Sequence, residues 1–191
     1  MALAEMPEEA VKRLMELLPA SLRGNLTPAE QELLKKAPRG EELDCTTGNP
    51  ERDKPTSWTS WDPKRTIRAE VLRILTTHPG TMELVHYRGI GIRGVRIDGT
   101  LDLEGATILH RLYIRESAIP QGITLTDAKT RTLVLDGSLI GAFRGENLHV
   151  DGDLSFARAV VHGGVNLRGA AIEGELSCRG GRFENPGGEA L

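Results

Sequence analysis

Gly89, Gly91 and Gly94 are spaced as G-x-G-x-x-G. That pattern binds a dinucleotide pyrophosphate when it follows a strand and opens a helix. Here Ile90, Ile92, Val95 and Ile97 alternate as an extended chain does, and no helical pattern follows, so the helix N-terminus that would take the phosphate is missing. His86, His110, His149 and His162 stand 24, 39 and 13 apart, which makes neither a ligand pair nor H-E-x-x-H. Cys45 and Cys178 give no metal spacing and no disulfide framework. No G-x-S-x-G and no phosphate loop occurs, so nucleophilic, phosphoryl and zinc chemistry all lack a foothold. These residues predict no catalytic group, no cofactor and no metal site.

The elements that would position any such group are set by a repeated phrase, Gly-x-Leu-x-Leu followed by a small-residue corner. It reads Gly99-Thr-Leu101-Asp-Leu103-Glu-Gly-Ala106-Thr-Ile108, returns as Gly152-Asp-Leu154-Ser-Phe156, and again as Gly164-Val165-Asn-Leu167-Arg-Gly-Ala170-Ala-Ile172 and Gly174-Glu-Leu176-Ser-Cys178. Leu101, Leu112, Ile123, Leu133, Phe143, Leu154, Val165 and Leu176 advance by 11, 11, 10, 10, 11, 11 and 11 residues. Apolar residues two apart mark a short strand with one inward face, so each phrase holds two strands and two phrases close a four-sided turn. The expected fold is a mainly β solenoid: a quadrilateral parallel β-helix of about four coils between Ile90 and Phe183. A leucine-rich repeat needs a helical return for which these phrases leave no room, and the calcium-binding nonapeptide run is absent. Cys178 falls in the inward slot that Leu103 and Leu167 fill, which predicts a buried thiol.

The chain has 191 residues, is 39% hydrophobic and carries a net charge of −3. Only Gly24, Gly40 and Gly48 of its 22 glycines precede residue 80, which places a boundary there between a helical region, 1–80, and the β-helix, 81–191. The charge is spread over both halves, so no basic footprint for nucleic acid appears. No run approaches roughly 18 apolar residues, and the acidic, amphipathic start is unlike a signal peptide, which argues for a cytoplasmic protein with no membrane span. Pro7 to Leu18 has apolar residues at helical spacing. Thr27-Pro28-Ala29-Glu30 is a capping box opening a second helix that runs to about Lys36. Residues 37–60 are polar and broken and predict a long loop. Trp58 and Trp61 are expected to plug the joint to the first coil. A capping helix is expected over 62–78, with Asp62 as N-cap, Ile67, Val71, Ile74 and Leu75 on its apolar face, and Lys64, Arg65, Arg68 and Arg73 on the other. Such a helix would cover the strand edges that a first coil exposes.

The run Trp61-Asp-Pro-Lys-Arg65-Thr-Ile67-Arg68-Ala69-Glu70-Val71-Leu72-Arg73, with Gly89-Ile-Gly-Ile-Arg-Gly94 and the phrases at Leu101 and Leu176, resembles bacterial proteins with pentapeptide-repeat-like β-helices, chiefly actinobacterial. The resemblance covers most of residues 58–191 and implies a right-handed rod and a repeat protein. The phrases are ten or eleven residues long, not the five of the strict Ala-(Asp/Asn)-Leu-x-x consensus. Function therefore does not carry over from pentapeptide proteins that mimic DNA and inhibit topoisomerases.

Residues between paired inward apolars face out and should stack from coil to coil. One expected ladder is Asp102, Thr124, Arg144 and Asn166; its neighbour is Tyr113, Val134, Ser155 and Ser177. Asp102 is the only acid in either, so the paired carboxylates of a glycosidase are not expected. The leading expectation is a non-catalytic scaffold whose ladder, Asp102, Tyr113, Thr124, Arg144, Ser155 and Asn166, meets a protein partner. The alternative is an enzyme or small-ligand binder with a loop–rod pocket of Trp58, Trp61 and His86; a topoisomerase-binding DNA mimic ranks below both. The closing residues, Phe183 to Leu191, stop in mid-phrase, which predicts either a longer natural protein or self-association through an open last coil.

Overall fold

A computed structural model describes residues 6–185; Pro186 to Leu191, on which part of the expectation about the closing residues rests, lie outside the described residues. The rod has four parallel sides. Side one stacks Leu43–Asp44, Ile90–Arg93, Leu112–Arg115, Leu133–Val134, Leu154–Ser155 and Leu176–Ser177. Side two stacks Thr66–Arg68, Arg96–Asp98, Ala118–Ile119, Leu139–Ile140, Val160–Val161 and Arg182–Phe183. Side three holds Leu101–Asp102, Ile123–Thr124, Phe143–Arg144 and Val165–Asn166, and side four Lys129–Thr130, His149–Val150 and Ala171–Ile172. This is the expected β-solenoid of about four coils.

Strands of two residues are too short to stand alone, and the stack makes them stable. Leu101 pairs with Ile123, and Leu133 with both Leu112 and Leu154, so like residues pile up inside the shaft. Leu154 is fully buried and Val165 is 8% exposed, in the inward places the phrases give them. Volume is balanced across the shaft: Phe143 lies edge-on to Phe156 with centroids 4.9 Å apart, and Gly145 takes the next inward place of that phrase. A Cβ on Gly145 would come within 2.9 Å of the Phe143 ring, so the missing side chain is what admits the large one. At the corner from side three to side four, Gly105, Asp127, Asn147 and Gly169 all take φ between 54° and 72°. Glycine, asparagine and aspartate are the residues that enter this left-handed region most readily.

The N-terminal region comprises helices α1 (Met6–Leu17), α2 (Ala20–Arg23), α3 (Pro28–Lys36), α4 (Pro50–Asp53) and α5 (Ala69–Thr77). The capping box is present: Thr27 Oγ1 accepts from Glu30 N, and Glu30 Oε2 accepts from Thr27 N at 2.8 Å. Two expectations are corrected. The 62–78 segment is not one helix. Asp62 caps a 3₁₀ turn, Pro63–Arg65, and Thr66–Arg68 then forms a strand in register with Arg96, Ile97 and Asp98. β-branched Thr66 and Ile67, facing an open strand edge, favour the ladder over a helix, which begins only at Ala69. Arg65 and Arg68 are also not on a solvated face: Arg65 is 7% exposed, and Arg68 pairs with the fully buried Glu30.

The 37–60 segment, expected as a loop, contributes structure as well. Leu43–Asp44 extends side one by pairing with Ile92 and Arg93, and α4 is capped by Asn49, whose side chain accepts from Glu51 N and Arg52 N. The first coil is thus covered by a mixed layer. Leu43–Asp44 lies on side one and Thr66–Arg68 on side two, while α5 packs against Leu101–Asp102 and accepts the Leu109 N–H at Thr76 O, 2.9 Å. At the other end, Cys178 is exposed rather than buried. It keeps its inward slot, but its strand, Leu176–Ser177, is the outermost of side one and no further described strand stacks on it.

Candidate functional site

The outward ladders follow from the strand registers. Asp102 lies beside Thr124, Thr124 beside Arg144, and Arg144 beside Asn166, all on side three. Tyr113, Val134, Ser155 and Ser177 stack on side one. The six candidate ladder residues therefore occupy two sides, with Tyr113 and Ser155 on a different one from the rest. On side three, Glu146 receives hydrogen bonds from Thr126 Oγ1 at 3.1 Å and Asn166 Nδ2 at 2.7 Å, which ties three successive coils by their side chains. On side one the Arg115 guanidinium lies 4.8 Å from the centre of the Tyr113 ring and reaches Glu42 at 2.8 Å.

At the joint, Trp61 is buried under the Arg65 guanidinium, 3.8 Å from its ring centre, and donates from Nε1 to Arg52 O at 2.8 Å. Arg65 also donates to Gly94 O and pairs with Asp53 at 2.8 Å. Thr47, Arg52, Ser60, Trp61, Asp62 and Arg65 line a cleft. Trp58 and His86 do not line it. Trp58 is half-buried with Arg96 5.9 Å from its ring, and His86 packs beside Gly40 and against Tyr87. Cys45, nearby, has its thiol pKa pushed up to about 11, chiefly by burial, which makes it a poor nucleophile near neutral pH.

His110 is 7% exposed and touches the turn after α5. The Thr81 hydroxyl donates to His78 O at 2.7 Å, so the His110 Nε2–H, 3.3 Å away, is the donor to Thr81 Oγ1. Burial first, and then repulsion from Arg131, lower the His110 pKa below 6.5, against an opposing hydrogen bond to the Thr81 backbone. A depressed histidine binds its proton more readily unfolded than folded. Its contribution to stability is whole above pH 6.5 and is lost as pH falls through the lowered folded value. Thermal unfolding followed between pH 7.5 and pH 5 should show a steeper loss of stability for the natural chain than for His110→Gln. Identical slopes would count against this assignment.

A further cluster lies at the edge between sides four and one. His149 Nε2 is 3.0 Å from Asp151 Oδ1 and 3.4 Å from Glu173 Oε1, and Lys129 Nζ is 3.1 Å from the same Asp151 oxygen. Hydrogen bonding from Lys129 is the main cause holding the Asp151 carboxyl below its usual range. Val150 pairs with Ile172, so the residues that follow them, Asp151 and Glu173, are neighbours in successive coils. Histidine spacing alone gave no metal site, and the two acids, Asp151 and Glu173, are what complete the cluster. Their spacing of one coil, 22 residues, was the available signal.

No family model, curated protein or solved structure matches this chain. Among the described residues, no helix is long and apolar enough to cross a membrane.

Proposed function

We propose that the chain is a non-catalytic β-helical scaffold that binds a protein partner through its stacked outer sides. The observation that carries this reading is the strict registry of the outward ladders. Asp102, Thr124, Arg144 and Asn166 form one line on side three, and Tyr113, Val134 and Ser155 another on side one. Rigid strands present these groups at fixed spacing, which lowers the entropy cost of ordering an interface. The wording of the phrases further supports kinship with bacterial pentapeptide-repeat-like proteins. The ligand-binder alternative rests on the Trp61–Arg65 cleft alone.

Self-association through the last coil belongs to the same proposal. Leu176 is 46% exposed, Cys178 is exposed, and Ile172 and Phe183 are only partly covered, all around strands with one free edge among the described residues. Two experiments test the pair of claims. Light scattering on the full chain should give a dimer that Leu176→Lys converts to monomer; a monomer at all concentrations removes the second claim. Cross-linking of a copurified partner should map to Arg144, Asn166 or Tyr113, and Arg144→Glu should release the partner from a still folded rod. Cross-links confined to the Trp61 cleft would remove the first.

A further inference from the structure

The cluster of His149, Asp151 and Glu173 has the dimensions of a coordination shell. Donor atoms about 2.0–2.2 Å from a tetrahedral zinc ion lie about 3.3–3.6 Å from one another. The two distances from His149 Nε2, 3.0 Å to Asp151 and 3.4 Å to Glu173, are close to that edge, and all three donor atoms lie within 4.8 Å of one another. We propose that His149 Nε2, Asp151 and Glu173 bind a divalent transition-metal ion of the zinc class, leaving at least one coordination position for water or a donor from another molecule.

An imidazole in the set favours zinc, nickel or copper over magnesium and calcium, which prefer oxygen alone. One donor lies on a strand and the other two directly follow strands: His149 belongs to His149–Val150, Asp151 follows it, and Glu173 follows Ala171–Ile172, paired to it in register. Small movements would bring Asp151 and Glu173 to a common ion, which would clamp the third coil to the fourth. Lys129 bonds the same Asp151 oxygen and competes with the metal for it. That competition sets a modest affinity and supplies a distinctive test.

The experiment is calorimetric titration of the full chain with zinc chloride in a non-chelating buffer. One equivalent should bind in the micromolar range, while magnesium chloride at the same concentration should not. His149→Ala and Glu173→Gln should each weaken zinc at least about tenfold, since losing even a group that only orients a ligand costs that much. Lys129→Ala should tighten it. In the unsubstituted chain, ring resonances of His149 should shift before those of His78, His86, His110 and His162, a readout that does not depend on any variant folding. Absence of saturable zinc binding below millimolar overturns the proposal. So does binding that survives both ligand substitutions with the His149 ring unmoved. In either case the cluster is only a ladder of ion pairs.

Discussion

Replacing Gly122 by alanine is expected to cost about 3–5 kcal/mol and to lower the melting temperature by about 6–20 °C. Two independent penalties act at this corner between sides two and three. The residue has φ +84°, where an L side chain is strained by about 1–2 kcal/mol. Its Cβ would also stand 2.5 Å from Ala142 O and 2.8 Å from Ala142 N, both backbone atoms of the next coil. That carbonyl cannot withdraw without breaking the stack, because it accepts the Ile123 N–H at 2.8 Å. Gly105 isolates the first penalty: its φ is +64°, but nothing lies within 4 Å of its Cβ position. Gly105→Ala should therefore cost only about 1–2 kcal/mol. Urea unfolding of both variants measures the difference. If Gly122→Ala costs no more than Gly105→Ala, close stacking of the coils at this corner is not what requires glycine.

The contrast between these glycines also marks what could be read from sequence. Phrase length and the two-residue alternation are properties of the chain itself, so the pairing of Leu101 with Ile123 and of Leu133 with Leu154 followed before any coordinates. The outward ladders followed by the same count. What escaped was set by neighbours distant in the chain. A strand of two residues such as Leu43–Asp44 has no period of its own, and only the open edge at Ile92 makes it extended. Thr66–Arg68 was assigned to a helix because its cap signals were local, while its partner Arg96–Asp98 was not. Cys178 shows a different limit. The pattern gave the direction of the side chain correctly, but burial also requires a layer stacked above it. At the cluster, the turn from Val150 to Leu154 is one residue longer than the turn from Thr130 to Leu133. The turn from Ile172 to Leu176 has that same greater length, so Asp151 and Glu173 align at one coil's spacing; what no local pattern shows is that the His149 ring converges on them.

Glu30→Ala should be costly at the opposite end of the rod, by about 3–5 kcal/mol. This carboxylate is fully buried, and every hydrogen bond it accepts comes from a residue that joins the helical region to the first coil or opens α3. Oε1 accepts from Arg68 N and Arg68 Nε, both at 2.8 Å, and Oε2 from Arg68 Nη2 at 2.6 Å and Thr27 N at 2.8 Å. Truncation would leave the Arg68 guanidinium with its carboxylate partner gone, and two backbone N–H groups without an acceptor. A group stranded in this way costs more than the intact pair contributes, because its desolvation is no longer offset. The double variant Glu30→Leu with Arg68→Leu should therefore be less destabilised than the sum of its two single changes. Hydrogen exchange separates a local effect from a global one: Glu30→Ala should speed exchange at the Arg68 amide and along α3 well before it does so at Leu133 or Leu154 in the shaft. A cost below about 1 kcal/mol, the value of an exposed pair, would mean that this contact does not hold the cap to the rod.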